Sequence, residues 1–212
     1  MKLVVGVVLM LLLLCNGVST RASDVSSDTQ DEIQADGILS SVVDHLWSQT
    51  DDYFHDGDFP RIVALMRIIV SIDPHFVDAF NTGAWIMWSM GDDNDATAFY
   101  QQDVQSNPLD SDAYYDYGFF LYNHLHNFPG AVAVFTADIA NADAGILDYR
   151  MLAHSYEKEG RWDRALEVWR RIKARWPHGA PTDPSKGAID DRNMLRAAKH
   201  LDPVIVPMIP AK

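Results

Sequence analysis

The sequence predicts an all-α solenoid, four helix pairs stacked in a row and closed by a C-terminal capping helix. Three observations carry this. First, "SIDP" ends at Pro74, "QSNP" ends 34 residues later at Pro108, and "KARWP" ends at Pro177, two periods plus one residue further on. Second, in that register the apolar residues fall into columns. Leu46, Phe80, Tyr114 and Tyr149 align, as do Tyr53, Met87, Leu121 and Tyr156, and Met66, Tyr100, Phe135 and Trp169. Columns of mostly small residues lie between them: Thr50, Ala84, Gly118 and Ala153, then Ile62, Ala96, Ala131 and Ala165. Third, Gly57, Gly91 and Gly160 recur between the halves of a unit, where a short turn belongs. Self-similarity at a fixed period of this length is the signature of stacked repeats. Large and small columns interlock because antiparallel helices must approach closely.

The elements follow in chain order. Residues 1–22, "MKLVVGVVLMLLLLCNGVSTRA", carry one early lysine, an apolar run from Leu3 to Leu14, then small polar residues. They read as a secretory signal peptide, cleaved after Ser19 or Ala22. The run is shorter than the roughly 20 residues that a bilayer span takes, so an exported protein is expected, periplasmic or secreted, with no integral membrane segment after cleavage. The only cysteine, Cys15, ends that run. The alternative is a lipoprotein anchored at Cys15, although Leu14 stands where that pattern wants a small residue. After ordinary cleavage no disulfide or thiolate site remains. Residues 23–37 are polar and aperiodic and read as a disordered tether.

The helical domain occupies residues 38–201. Its first helix starts near Gly37, in "ILSSVVDHLWSQTDDYF". Each unit is then a helix, a Gly/Asp/Asn turn, a second helix and an exit. Unit three departs from the pattern. Its turn, "HLHNFPG", has one extra residue, lacks the glycine, and its exit lacks the proline. "DPSKGAIDDRNMLRAAKHLD" reads as the capping helix that covers the last apolar face. Residues 202–212, with Pro203, Pro207 and Pro210, read as an extended tail.

This pattern resembles the tetratricopeptide repeat (TPR) family. The fourth unit, "YRMLAHSYEKEGRWDRALEVWRRIKARWP", matches the family pattern best; the other three are degenerate, and unit one has Thr50 where glycine or alanine is usual. The resemblance covers residues 42–177 and implies a right-handed α-α superhelix. It also implies that the first helices of successive units line a concave surface that binds peptides or protein segments. The inward columns would be Trp47, Asn81, Tyr115 and Arg150; Asp51, Trp85, Phe119 and His154; and Phe54, Trp88, Tyr122 and Glu157, flanked by Asn123. The aromatics would supply apolar contact, and Asn81, Asn123 and Arg150 would hold polar ends of a ligand backbone.

Several occupants fit such a strip. One is a peptide or partner helix. Another is the chain itself, through its first helix or the "VIVPMIP" tail. A third is a sugar ring stacked on the aromatics, with Asp51, Asn81 and Asn123 as hydrogen-bonding groups, which would make a glycan or cell-wall binding module. Tight superhelical packing could also turn these columns into core. Asp44, Asp78 and Asp112 share a further column at the starts of the first helices, where negative charge suits the helix dipole.

The chain has a formal charge of −13. Residues 23–149 hold 22 Asp and Glu against Arg61 and Arg67 alone, while residues 150–212 hold 13 Lys and Arg against eight acids. So acidic a body argues against nucleic acid as a partner and against anionic membrane surfaces. Its polarity would suit a protein partner or a second copy of the chain. No phosphate loop, metalloprotease motif or nucleophile elbow occurs. His124 and His126 lack a third ligand nearby and read as loop histidines, and the "DGD" and "DDND" turns read as helix starts. A non-enzymatic scaffold or adaptor without cofactor or metal is the expectation.

Overall fold

The computed structural model describes residues 32, 34–180 and 186–201. The leader, most of the tether and the tail lie outside the described residues. Among the described residues nine helices follow one another: α1 (34–56), α2 (Phe59–Ile72), α3 (Val77–Ser89), α4 (Asp93–Ser106), α5 (Ser111–Asn123), α6 (Phe128–Asp138), α7 (Ile146–Lys158), α8 (Trp162–Arg175) and α9 (Gly187–Leu201). Four antiparallel pairs stack in line, α3 touches α5, α5 touches α7, and α9 packs on α8.

The starts and stops are local chemistry. Asp58 caps α2 by accepting from the Arg61 amide, with Pro60 in the first turn, where its missing N–H costs nothing. Asn127 caps α6 by accepting from the Gly130 amide, and Asp148 reaches back to the Gly145 amide at the start of α7. Gly57, Gly91 and Gly160 take φ of 71°, 91° and 74° in the turns between paired helices, a region that side chains rarely adopt. In the third turn, where the glycine is missing, His126 takes φ 51°. The extra residue of that turn is thus accommodated by one left-handed, non-glycine position.

Most of the aligned positions form the core, while Leu46, Thr50, Tyr53, Tyr114 and Tyr156 are half-buried. Ile62, Met66, Phe80, Ala84, Met87, Ala96, Tyr100, Leu121, Ala131, Phe135, Leu152, Ala153, Ala165 and Trp169 are all buried. Helices touch most closely at two glycines. A Cβ on Gly118 would lie 2.6 Å from Cζ of Phe135, and one on Gly83 would lie 2.6 Å from Cε1 of Phe99 and 3.0 Å from Cβ of Met66. Hydrogen-bonded straps tie one unit to the next. Asn107 donates to the Pro74 carbonyl (3.1 Å) and meets His75 Nδ1 (2.8 Å), and Asp143 accepts from the Ser111 amide (3.1 Å).

Two buried acids interrupt the apolar columns. Asp103 in α4 and Asp138 in α6 are fully buried at equivalent repeat positions, where the outer units carry Ile69 and Ile172. Asp103 Oδ1 accepts from Asn107 Nδ2 at 2.8 Å, and Asp138 Oδ1 accepts from the Ser111 hydroxyl. The second carboxylate oxygen of Asp103 meets no donor. The carboxyl of Asp138 is also in contact with that of Asp148, and two carboxyls can bond only by sharing a proton. Burial, the leading cause in each case, pushes Asp103 and Asp138 up to about 7.

Candidate functional site

The face built by α1, α3, α5 and α7 carries every candidate groove residue, because positions three and four apart on a helix share a side. The structure sorts them into three groups.

Five are exposed. Phe54, Trp85 and Phe119 leave 48%, 45% and 36% of their surface open, and Asp51 and Asn123 are also exposed. Beside Trp85 a cavity of about 330 Å³ opens between α1 and α3, lined by Thr50, Phe54, Ile62, Asn81, Thr82, Trp85 and Ile86.

Four more aromatics are half-buried and form the floor of the strip. The Trp47 ring lies 4.9 Å from Phe76, Trp88 lies 3.9 Å from His124, and Tyr122 lies 5.4 Å from Phe128. Tyr115 stacks on Phe119 at 6.0 Å and meets Phe135 edge-on. Burial is the main reason that the Tyr115 and Tyr122 hydroxyls titrate above their usual range, and burial also lowers His124. The His124 ring leans on Trp88 with the two planes 44° apart.

The remaining three are engaged within the chain. Asn81 Oδ1 accepts from the Tyr100 hydroxyl at 2.9 Å. Arg150 forms a two-pronged pair with Asp190 of α9, both bonds 2.8 Å, with side chains 12% and 6% exposed. His154 bonds Glu157 at 3.0 Å. Glu157 also accepts from the buried Trp169 indole (2.9 Å) and from Arg196 of α9 (2.6 Å). Burial alone would raise Glu157, but these bonds and the Arg196 charge prevail and hold it below its usual value. At unit four, then, α9 reaches across and occupies the polar groups of the face. The open stretch runs over α1, α3 and α5.

Sequence reasoning did not single out Asp116. It stands on α5 one turn beyond Asp112 and one turn before Phe119. Its carboxyl is pushed up to about 6, by burial first and then by the charges of Asp112, Asp78 and Asp110. The i, i+4 spacing from Asp112 was the available signal. A second cavity, of about 570 Å³, opens at the starts of α5 and α7 and is bordered by Asp112, Tyr115, Asp143, Leu147, Asp148 and Lys186, among others. No group of three or more ligating side chains that could hold a metal occurs among the described residues. None of the described helices is long and apolar enough to cross a membrane.

No family model and no curated protein matches this sequence. Solved structures do. A MamA protein is 19% identical, with a TM-score of 0.51 over 75% of this chain and 87% of its own. PilF of Pseudomonas aeruginosa is 15% identical, with a TM-score of 0.52 over 77% of this chain and 75% of its own. The kinesin light chain TPR-like repeats of Podosopora anserina are 15% identical, with a TM-score of 0.54 over 77% of this chain and 89% of theirs. These are TPR structures, and this chain shares their fold, an α-α superhelix of stacked helix pairs.

Proposed function

We propose that this TPR solenoid is a non-catalytic scaffold that holds a segment of a partner protein across α1, α3 and α5. The observation that carries the reading is three exposed rings on α1, α3 and α5, with Phe54 and Trp85 beside one cavity and Phe119 stacked on half-buried Tyr115. Large exposed apolar groups of this kind mark interaction sites, and aromatic anchors beside pockets dominate binding energies.

Trp85→Ala with Phe119→Ala tests it. Both rings are more than a third exposed, so stability in urea should fall by no more than about 2 kcal/mol. Direct binding to whatever wild-type protein captures should weaken at least about tenfold. Unchanged binding, or a loss of stability large enough to unfold the domain, sinks the groove reading.

The same proposal places the protein outside the cytoplasm, on the strength of the lysine, apolar run and small residues in 1–22. Intact mass of the product from the exporting cell should lack those residues. A full-length mass, or a lipid-modified Cys15, would overturn simple export.

A further inference from the structure

The exposed strip has a charged end as well as an apolar middle. On α3, Asp78, Thr82, Trp85 and Ser89 share one stripe at helical spacing; on α5, Asp112, Asp116, Phe119 and Asn123 share the equivalent stripe. Read along either helix from its start, carboxylates come first and an exposed ring follows two turns later. The two stripes are neighbours, since α3 touches α5 and the charges of Asp78 and Asp112 are both felt at Asp116.

Asp112 and Asp116 form a like-charge pair at i, i+4, an arrangement that destabilises a helix unless a counter-charge arrives. The chain supplies few. Between residues 32 and 149 the only Lys or Arg are Arg61 and Arg67, which pair with Asp58 and Asp95. Arg150, at the next position along the face, is committed to Asp190. Arg61, Arg67 and Arg150 thus pair elsewhere than with Asp78, Asp112 or Asp116, and Lys186 borders the cavity next to Asp112.

We infer that the segment held by this face is cationic and amphipathic, with apolar side chains on Trp85 and Phe119 and a lysine or arginine directed at Asp78, Asp112 and Asp116. The inference rests on the groove reading above and adds the chemical class of its occupant. A basic group there would relieve the repulsion from Asp112, Asp78 and Asp110 that adds to burial in raising Asp116, and charge complementarity of this kind sets partner choice as well as encounter rate. Lys173 and Arg196 of the chain's own α8 and α9 pair with Asp191 and Glu157, and α9 is packed on α8 at the far end of the stack, which favours a separate chain as the occupant.

The test uses the full chain and three fluorescein-labelled peptides of one leucine- and tryptophan-containing sequence, carrying four lysines, four glutamines or four glutamates. Anisotropy titrations are run on wild type, Trp85→Ala, and the isosteric double variant Asp78→Asn with Asp116→Asn. The lysine peptide should bind about tenfold more tightly than the glutamine peptide, and the glutamate peptide more weakly still. The aspartate variant should erase the lysine preference and leave the glutamine peptide unchanged, while Trp85→Ala should weaken both. Equal binding of the lysine and glutamine peptides, or a preference that survives the aspartate variant, overturns the charge inference and leaves the groove standing if Trp85→Ala still weakens them. Binding unaffected by Trp85→Ala, or no binding of any peptide, overturns the groove and the inference together.

Discussion

Acidifying the solution from pH 7.5 to pH 5 should stabilise this protein, and Asp103→Asn with Asp138→Asn should largely abolish that gain. In the unfolded chain both carboxyls ionise near 3.9. In the folded chain burial holds them near 7. Between those values the native state binds protons that the unfolded state has lost, so stability falls as pH rises through the window and levels off above it. Each such group contributes a slope of up to about 1.4 kcal/mol per pH unit.

Asp103 faces Asn107, Asp110 and Asp116, and Asp138 faces Ser111, Asp143 and Asp148. Asp116 and Asp148, also raised, act in the same direction. Two groups oppose it. His124 is lowered, so its contribution is lost as pH falls through the ordinary histidine range; Glu157 is lowered, so its contribution is lost only on further acidification. A maximum near pH 5 follows, with a difference on the order of 3 kcal/mol from pH 7.5.

Asparagine can keep the bonds from Asn107 and Ser111 at its carbonyl, and at 138 its amide can donate to Asp148. The double variant should therefore exceed wild type in stability at pH 8. Urea titrations at pH 5, 6.5 and 8 read the result. A wild-type profile that rises with pH over that span would show that these acids are ionised in the fold.

Arg150→Ala should cost about 3–5 kcal/mol, because it leaves Asp190 buried without its counter-ion. Replacing both partners with apolar residues of similar size, Arg150→Met with Asp190→Leu, should recover most of the loss. This pair of measurements also bears on function. The inward column would give Arg150 to a ligand, whereas the structure gives its guanidinium to α9. If Arg150→Ala leaves urea stability intact and instead weakens partner binding, the pair with Asp190 is dispensable and the arginine belongs to the groove.

What could be read in advance was what repeats. Side-chain position on a helix is periodic, so a 34-residue register places Phe80, Met87, Phe135 and Trp169 in the core from spacing alone, and the turn glycines with them. Contacts between elements far apart in sequence have no such period. Nothing in "DDRNMLRAAKH" shows that Asp190 and Arg196 meet Arg150 and Glu157, some 40 residues earlier, rather than solvent. The columns separate Trp85 and Trp88 from the packing residues, but they cannot show that the two differ. Trp88 leans on His124 from the irregular third turn, while Trp85 stays exposed. Ile86, absent from the packing columns, is buried. Asp103 and Asp138 were visible as charges in a column otherwise held by isoleucine, but only burial reveals what that placement means.

The stack is also finished differently at its two ends. At one end α9 covers α8 and is pinned to α7 by two buried or half-buried ion pairs. At the other, Ile38, Leu39 and Val42 of α1 are exposed, and Leu46 and Tyr53 are only partly buried although they occupy columns that are core further along. In a linear array each pair is held by its neighbours alone. Among the described residues the α1–α2 pair has one neighbour and is the free end of the zipper, and α7–α9 is its anchored end. Local unfolding should therefore begin at the α1–α2 pair, which forms the groove's first wall, and spread toward the C-terminal units.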